Sequence, residues 1–152
     1  MDSLYTKENN ASRARLKKLV QNITIKELNL VIYKEGWTVA VALGHLGFWD
    51  QRRAELAKRW RKGLIEKSDI TDLSMHTIND ALLALFLAMP PKYAADFTVS
   101  AAEAVDKELA ALTAEQVAQV EKLGDRHALN RGIHRKMHLD EIDTLLKGKR
   151  GR

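Results

Sequence analysis

The stretch GIHRKMHLDEI, residues 132–142, decides how the fold of this chain is interpreted. If the stretch is helical, His134 and His138 lie one turn apart on the same face, with their β-carbons roughly 5–6 Å apart. That face continues through Ile142 and Leu145, so both imidazoles point toward apolar partners. A metal ion is one partner that two buried histidines can share, and chance spacing is the alternative. A third donor on another apolar helical face would favour the metal.

The composition favours a single helical domain that spans residues 1–152. Only 8 Gly and 2 Pro occur, which leaves few of the turns that a β fold requires. The absence of cysteine excludes disulfides, cysteine nucleophiles and iron–sulfur clusters, so a metal would be bound through nitrogen and oxygen. The longest charge-free apolar run, residues 36–49, is shorter than the ~20 residues of a membrane helix. We therefore expect a cytoplasmic protein that does not bind a membrane.

The formal net charge of +5 is spread along most of the chain, because basic and acidic residues alternate. A basic excess at residues 147–152 predicts a flexible, solvated tail. A nucleic-acid arm is the alternative for this tail. No nucleic-acid-binding motif accompanies it, so we do not expect nucleic acid as a partner.

Hydrophobic periodicity predicts helices along most of the chain. Thr38 and Thr113 have the sequence context of helix N-caps, and Pro90-Pro91 interrupts a helical pattern. Residues 63–74 are predicted to form a loop. Long helices are predicted over 3–22, 38–62 and 75–89, and the helical pattern resumes over 92–112 after the two prolines. A last helix carries the histidine pair and frays after residue 146, with 125–131 as either a connector or its first turns. Short helices are predicted after Thr24 and Thr113. The sequence therefore predicts an all-α fold, a four-helix bundle with short additional connecting helices.

His45 lies in the middle of an apolar stripe on the helix predicted over 38–62, together with Leu46 and Trp49. The pattern alone favours a core histidine that hydrogen-bonds a neighbour over a metal ligand. Trp49, one turn further on, fits either core packing or the wall of a ligand pocket. Periodicity therefore leaves both roles open for each residue.

Two longer stretches carry a resemblance to a known family. GWTVAVALGHLGFWDQRR at 36–53 and HRKMHLDEI at 134–142 resemble the DinB-like family, also described as DinB/YfiT-like metalloenzymes. The INDALL stretch at 78–83 and the Met-Pro-Pro break at 89–91 are also similar to that family. The order and separation of these motifs carry the resemblance, because each motif alone is modest.

The resemblance implies a four-helix bundle with a divalent metal held by one histidine of the second helix and two of the last. Those positions fall on His45, His134 and His138 in this chain. Zinc, nickel and iron are equally compatible with the resemblance, which further implies a low-molecular-weight thiol as a cosubstrate in some members and a homodimer. We therefore expect the three histidines to bind a metal.

Three neutral imidazoles leave a four-coordinate ion one open position, which is typical of a catalytic site. The expected chemistry is thiol-dependent transfer or isomerisation, or hydrolysis, of a small-molecule substrate. A zincin-type peptidase is disfavoured, because Arg135 stands where the HExxH motif needs glutamate. The alternative to an enzyme is a non-catalytic binding or dimerisation protein, related to stress.

Further site candidates come from residues near the histidines in sequence. Asp50, Asp140 and Glu141 are candidates for orienting a ligand histidine or serving as a base, with a surface helix residue as the alternative for each. Candidates for contacts to the substrate are Trp49, Arg53 and Asn79.

Overall fold

A computed structural model describes residues 3–151, and this part of the chain is helical throughout apart from its connections. Within it no β-strand forms, and a single isolated bridge joins Val31 to Thr38. The all-α prediction is confirmed. The seven helices of the described residues are α1 (Ser3–Asn22), α2 (Ile25–Leu28), α3 (Val39–Arg61), α4 (Asp72–Leu87), α5 (Pro91–Ala110), α6 (Ala114–Glu121) and α7 (Gly132–Arg150).

Threonine side chains start several of these helices. The Thr38 hydroxyl accepts a hydrogen bond from the Val41 backbone N–H at the start of α3, as predicted. Thr113 and Gln116 form a reciprocal capping box at the start of α6. These local signals are readable in sequence because each joins residues only three positions apart.

Two helix ends differ from the sequence prediction. Helix α4 begins at Asp72, inside the segment predicted as a loop, because Thr71 and Ser74 form a capping box. Helix α7 continues to Arg150, beyond the predicted end at residue 146. The Arg150 guanidinium lies 2.6 Å from a carboxylate oxygen of Glu27, so the end of α7 is joined to α2.

The four longest helices contact one another in pairs. Helix α1 contacts α5 and α7, and α3 contacts the same two helices, while α4 packs on α3. A β-carbon added at Gly47 would lie 2.9 Å from the Thr98 Cα, so only glycine permits this approach of α3 to α5. Helix α3 therefore lies between α5 and α7, and it brings its histidine to the histidine pair of α7.

The described residues contain two apolar clusters with buried charges between them along α3. One cluster includes Leu43, and the other begins at Ala54. Asp50, which lies between them in sequence, has no solvent-exposed surface. Buried carboxylates are found in proteins where they are paired. None of the helices in residues 3–151 combines the length and the apolar character that a membrane span needs.

Candidate metal centre

The structure brings together the three histidines that the sequence singled out. His45 of α3 and His134 and His138 of α7 each offer a ring nitrogen, and these atoms all lie within 4.8 Å of one another. His45 and His138 are buried, and His134 is half-buried. The three side chains are therefore close enough to bind one metal ion.

The donor atoms fit the geometry of a metal site. His134 Nε2 and His138 Nε2 are 3.1 Å apart. Two ligands of a tetrahedral zinc ion, each bonded at 2.0–2.1 Å, would be separated by about 3.3 Å. The Nδ1 atom of His45 is buried without a hydrogen-bond partner in the described part of the chain. A buried polar atom of this kind calls for an explanation, and a bound ion supplies one.

Burial keeps the three imidazoles uncharged. The pKa of His45 is lowered to about 3, mainly by burial and next by the neighbouring His138, while Asn79 opposes the shift. Burial also lowers the pKa values of His134 and His138 from their ordinary value. Neutral imidazole is the form that binds metals, so the site holds its ligands in the competent state at neutral pH.

Tyr33 makes a contact that sequence analysis missed. Its hydroxyl oxygen lies 2.8 Å from His138 Nδ1. If His138 binds a metal through Nε2, its proton must be on Nδ1, and the Tyr33 oxygen must accept that proton's hydrogen bond. Tyr33 lies in the irregular segment between α2 and α3, where periodicity carries no signal.

Glu141 stands beside this tyrosine. Burial raises the pKa of the Tyr33 hydroxyl, and the adjacent Glu141 carboxylate raises it further. The phenol therefore stays protonated and is available to donate to Glu141, while its oxygen accepts from His138. Glu141 itself is exposed, and its negative charge opposes the lowering of the His138 pKa. The Tyr33 hydroxyl therefore connects the Glu141 carboxylate to His138, one of the three candidate metal ligands.

Aromatic rings cover the other side of the site. The Trp37 ring meets the His45 ring edge-on, with centroids 5.1 Å apart, and Trp49 lies 6.5 Å from His45. The Trp49 indole N–H donates to Asn79 Oδ1 over 2.9 Å, which joins α3 to α4 at this point. The indoles limit the directions from which a ligand can approach His45.

The histidines line a cavity of about 1320 Å³. Trp49, Arg53 and Asn79, which were predicted to contact a substrate, line the same cavity. The Arg53 guanidinium also lies over the Trp60 ring, 5.6 Å from its centroid, and its Nη2 donates to Asp125 over 2.8 Å. The cavity thus extends from the histidines along α3 toward Trp60.

The acidic candidates have other partners. Asp50 accepts hydrogen bonds from Arg131 on one oxygen, at 2.8 Å, and from Arg135 on the other, at 2.9 Å. Asp140 accepts from Arg15 and Lys136 at the surface. Neither carboxylate is hydrogen-bonded to a histidine within the described residues. Asp50 and Asp140 therefore serve as ion-pair partners of basic residues, and these pairs hold neighbouring segments together.

The remaining two histidines lie on the cavity wall outside the trio. His76 is exposed near the start of α4. His127 is half-buried in the connection before α7, where Arg126 Nε lies 3.3 Å from its Nε2. His76 therefore offers a control for experiments on His45.

Comparison of the chain with models of known families, with curated proteins and with solved structures found no match.

Proposed function

We propose that this chain is a divalent-metal-dependent enzyme of the DinB-like type, with His45, His134 and His138 as the metal ligands. The observation that carries the proposal is the meeting of three uncharged imidazoles on the wall of one large cavity. Three protein ligands are typical of catalytic metal sites, whereas structural sites are closed by four. The cavity beside the trio gives a small molecule access to the remaining position.

A four-helix bundle is the architecture that we propose for the chain. Support comes from the contacts of the four longest helices, in which α1 and α3 each touch both α5 and α7. Bundles of this kind build metal sites from side chains of facing helices. Here His45 would come from one such helix and the histidine pair from another, as in the resemblance to the DinB-like family.

The proposed reaction is thiol-dependent transfer or isomerisation, or hydrolysis, of a small molecule. A bound zinc, nickel or iron ion would supply Lewis-acid polarisation of a substrate oxygen or sulfur and would make a water or thiol more acidic. The protein contributes the binding cavity. Trp49, held by Asn79, would pack against the substrate, and Tyr33 would hold His138 in the orientation and tautomer that binding requires.

A non-catalytic dimerisation protein is the second candidate, and exposed leucines on α4 favour it. The side chains of Leu73, Leu85 and Leu87 are more than half exposed. At about 100° per residue, Leu73 and Leu87 lie on one side of α4 and Leu85 lies on another, so Leu73 and Leu87 mark the side that association would use. A homodimer is compatible with both the enzyme and the non-catalytic protein, because association through α4 does not involve the three histidines.

Replacement of His45 tests the proposed function, with His76→Ala as the matched control. We expect His45→Ala to weaken zinc binding by more than about 100-fold, beyond the effect of losing an outer partner. His76→Ala should retain the wild-type affinity, since His76 lies outside the trio. Competition with a chromophoric chelator measures both. If the two variants bind zinc with equal affinity, His45 is not a metal ligand. The proposed metal site would then be wrong, and the non-catalytic dimerisation protein would remain as the candidate function.

A further inference from the structure

Arg131 reaches the cavity from the residue immediately before α7. It is the N-cap of that helix and lies one turn before His134, so the two side chains project on neighbouring parts of one face. Arg131 lines the same cavity as the three histidines, although only 3% of its surface is exposed. A buried guanidinium at this position is therefore next to the candidate metal centre.

The hydrogen bonds of Arg131 leave part of its guanidinium free. Its Nε donates to Asp50 and its Nη1 donates to the His127 carbonyl oxygen, at 2.8 and 2.7 Å. The third nitrogen, Nη2, has no hydrogen bond to any residue of the described range 3–151. Nη2 is also not one of the buried atoms without a partner, so it reaches the open space of the cavity and can donate to a ligand there.

The charge of Arg131 is only partly compensated by Asp50. Asp50 is shared between Arg131 and Arg135, and Asp106 is shared between Arg135 and Arg13. The side chain of Arg13 is 26% exposed and therefore solvated, whereas Arg131 and Arg135 are buried with the two carboxylates. Arg131 is the arginine of this network that lines the cavity.

Arg53 places a second guanidinium nearby. It lines the same cavity and is paired through Nη2 with Asp125. Burial lowers the pKa of Arg53, and the positive charge of Arg131 lowers it further, which shows that the two groups are within electrostatic reach. A ligand anion between them would relieve this repulsion.

We propose that the cavity takes a substrate with a carboxylate, bound by the free edge of Arg131 beside Arg53, with the opposite end of the substrate directed at the three histidines. This inference rests on the proposed function and names the substrate class for that site. Guanidinium groups bind carboxylates through paired N–H donors. Inorganic phosphate, the other anion that guanidinium groups bind, is an arm of the test below.

The test compares 3-mercaptopropionate with its neutral amide, 3-mercaptopropanamide, on the zinc-loaded protein by isothermal titration calorimetry. We expect the acid to bind at least about tenfold more tightly than the amide, as a charge-assisted hydrogen bond requires. Arg131→Gln should bring the ratio of the two affinities close to one. The ratio cancels differences between the two thiols, because each variant serves as its own reference.

Arg61→Gln is the matched control. It also removes one guanidinium, but Arg61, at the end of α3, pairs with Glu108 and is not among the residues that line the cavity. This variant should keep the wild-type ratio. If Arg131→Gln fails to fold, two other measurements test the inference. The wild-type protein should still prefer the acid to the amide, and Arg53→Gln should lower this preference. Equal binding of acid and amide by the wild-type protein would overturn the inference. Tighter binding of inorganic phosphate than of the acid would overturn its assignment to a carboxylate.

Metal-free protein separates this inference from the proposed function. Propionate, but not propanamide or chloride, should raise the melting temperature of chelator-treated wild-type protein, and Arg131→Gln should remove the effect. If the protein binds no zinc while this effect is present, the metal proposal fails and the carboxylate site stands. If zinc binds but propionate and propanamide act alike, the carboxylate inference alone is overturned.

Discussion

Burial decides the charge state of His45. The ring is packed between Trp37 and the two histidines of α7, and its pKa is lowered to about 3. The helical spacing of His134 and His138 is readable in the sequence, and the resemblance to the DinB-like family pointed to His45. The contacts of Tyr33 and Arg131 were not predictable, because both residues lie outside regular periodic segments and meet the site only in the folded chain.

The pH dependence of stability follows from the lowered pKa of His45. Below its ordinary pKa of 6.5, the unfolded chain takes up a proton that the folded chain excludes, so this group destabilises the fold as the pH falls from 6.5 toward 3. Within this pH range, each unit of decrease in pH lowers the free energy of unfolding by about 1.4 kcal/mol through His45. Above pH 6.5 both states are neutral and the effect disappears.

Urea unfolding of metal-free protein at pH 6.5, 5.5 and 4.5 measures this contribution, with His45→Gln as the reference. The free energy of unfolding should fall more steeply with decreasing pH for the wild type than for the variant. Titrating groups away from the trio act on both proteins and cancel in the difference, which therefore reports His45 together with its coupling to His134 and His138. Parallel pH profiles would show that His45 is not held neutral by the fold.

Tyr33→Phe tests the hydrogen bond that sets the His138 tautomer. The variant loses the 2.8 Å contact to His138 Nδ1 but keeps the ring that packs edge-on against Trp37. We expect zinc affinity to fall by about 10–100-fold, with a stability loss of only about 1 kcal/mol. Chelator competition and urea unfolding measure the two quantities.

Tyr93→Phe is the control for this prediction, because Tyr93 is exposed on α5 and is not among the residues that line the cavity of the histidines. It should change neither quantity. An unchanged zinc affinity in Tyr33→Phe would mean that His138 does not depend on the phenol for its orientation.

At the scale of elements, buried ion pairs fix the position of α7. Arg135 follows His134 in sequence, has no exposed surface, and donates to Asp50 of α3 and to Asp106 of α5. One face of α7 is thus tied to two helices, and the adjacent face presents the histidines. Sequence patterns placed Asp50 on α3 but could not predict its partners, because an ion pair across 85 residues depends on how the helices assemble.

Arg135→Met should therefore destabilise the protein by about 3–5 kcal/mol, since it leaves buried carboxylates with fewer partners. Lys136→Met is the control: Lys136 is exposed, and its ion pair among residues 3–151 is a surface one with Asp140, so the loss should stay below about 1 kcal/mol. Urea unfolding at neutral pH measures both. A similar small loss in the two variants would mean that the buried network does not hold α7.

At the scale of the whole molecule, the sequence predicted the helical class and most helix positions, because amphipathic periodicity and threonine caps act over a few residues. It could not predict that α7 continues to Arg150, where the guanidinium pairs with Glu27 of α2. Nor could it predict the cavity along α3, which arises from the arrangement of several segments. Long-range geometry depends on packing that no local pattern encodes.

Metal analysis of the intact chain tests the central claim most directly. Protein made without a polyhistidine tag should be incubated with zinc, freed of excess metal by gel filtration and measured by inductively coupled plasma mass spectrometry. We expect about one zinc ion per chain and a higher melting temperature than that of the metal-free protein. Absence of bound metal, together with no stabilisation by zinc, nickel or iron(II), would contradict a metal site at His45, His134 and His138.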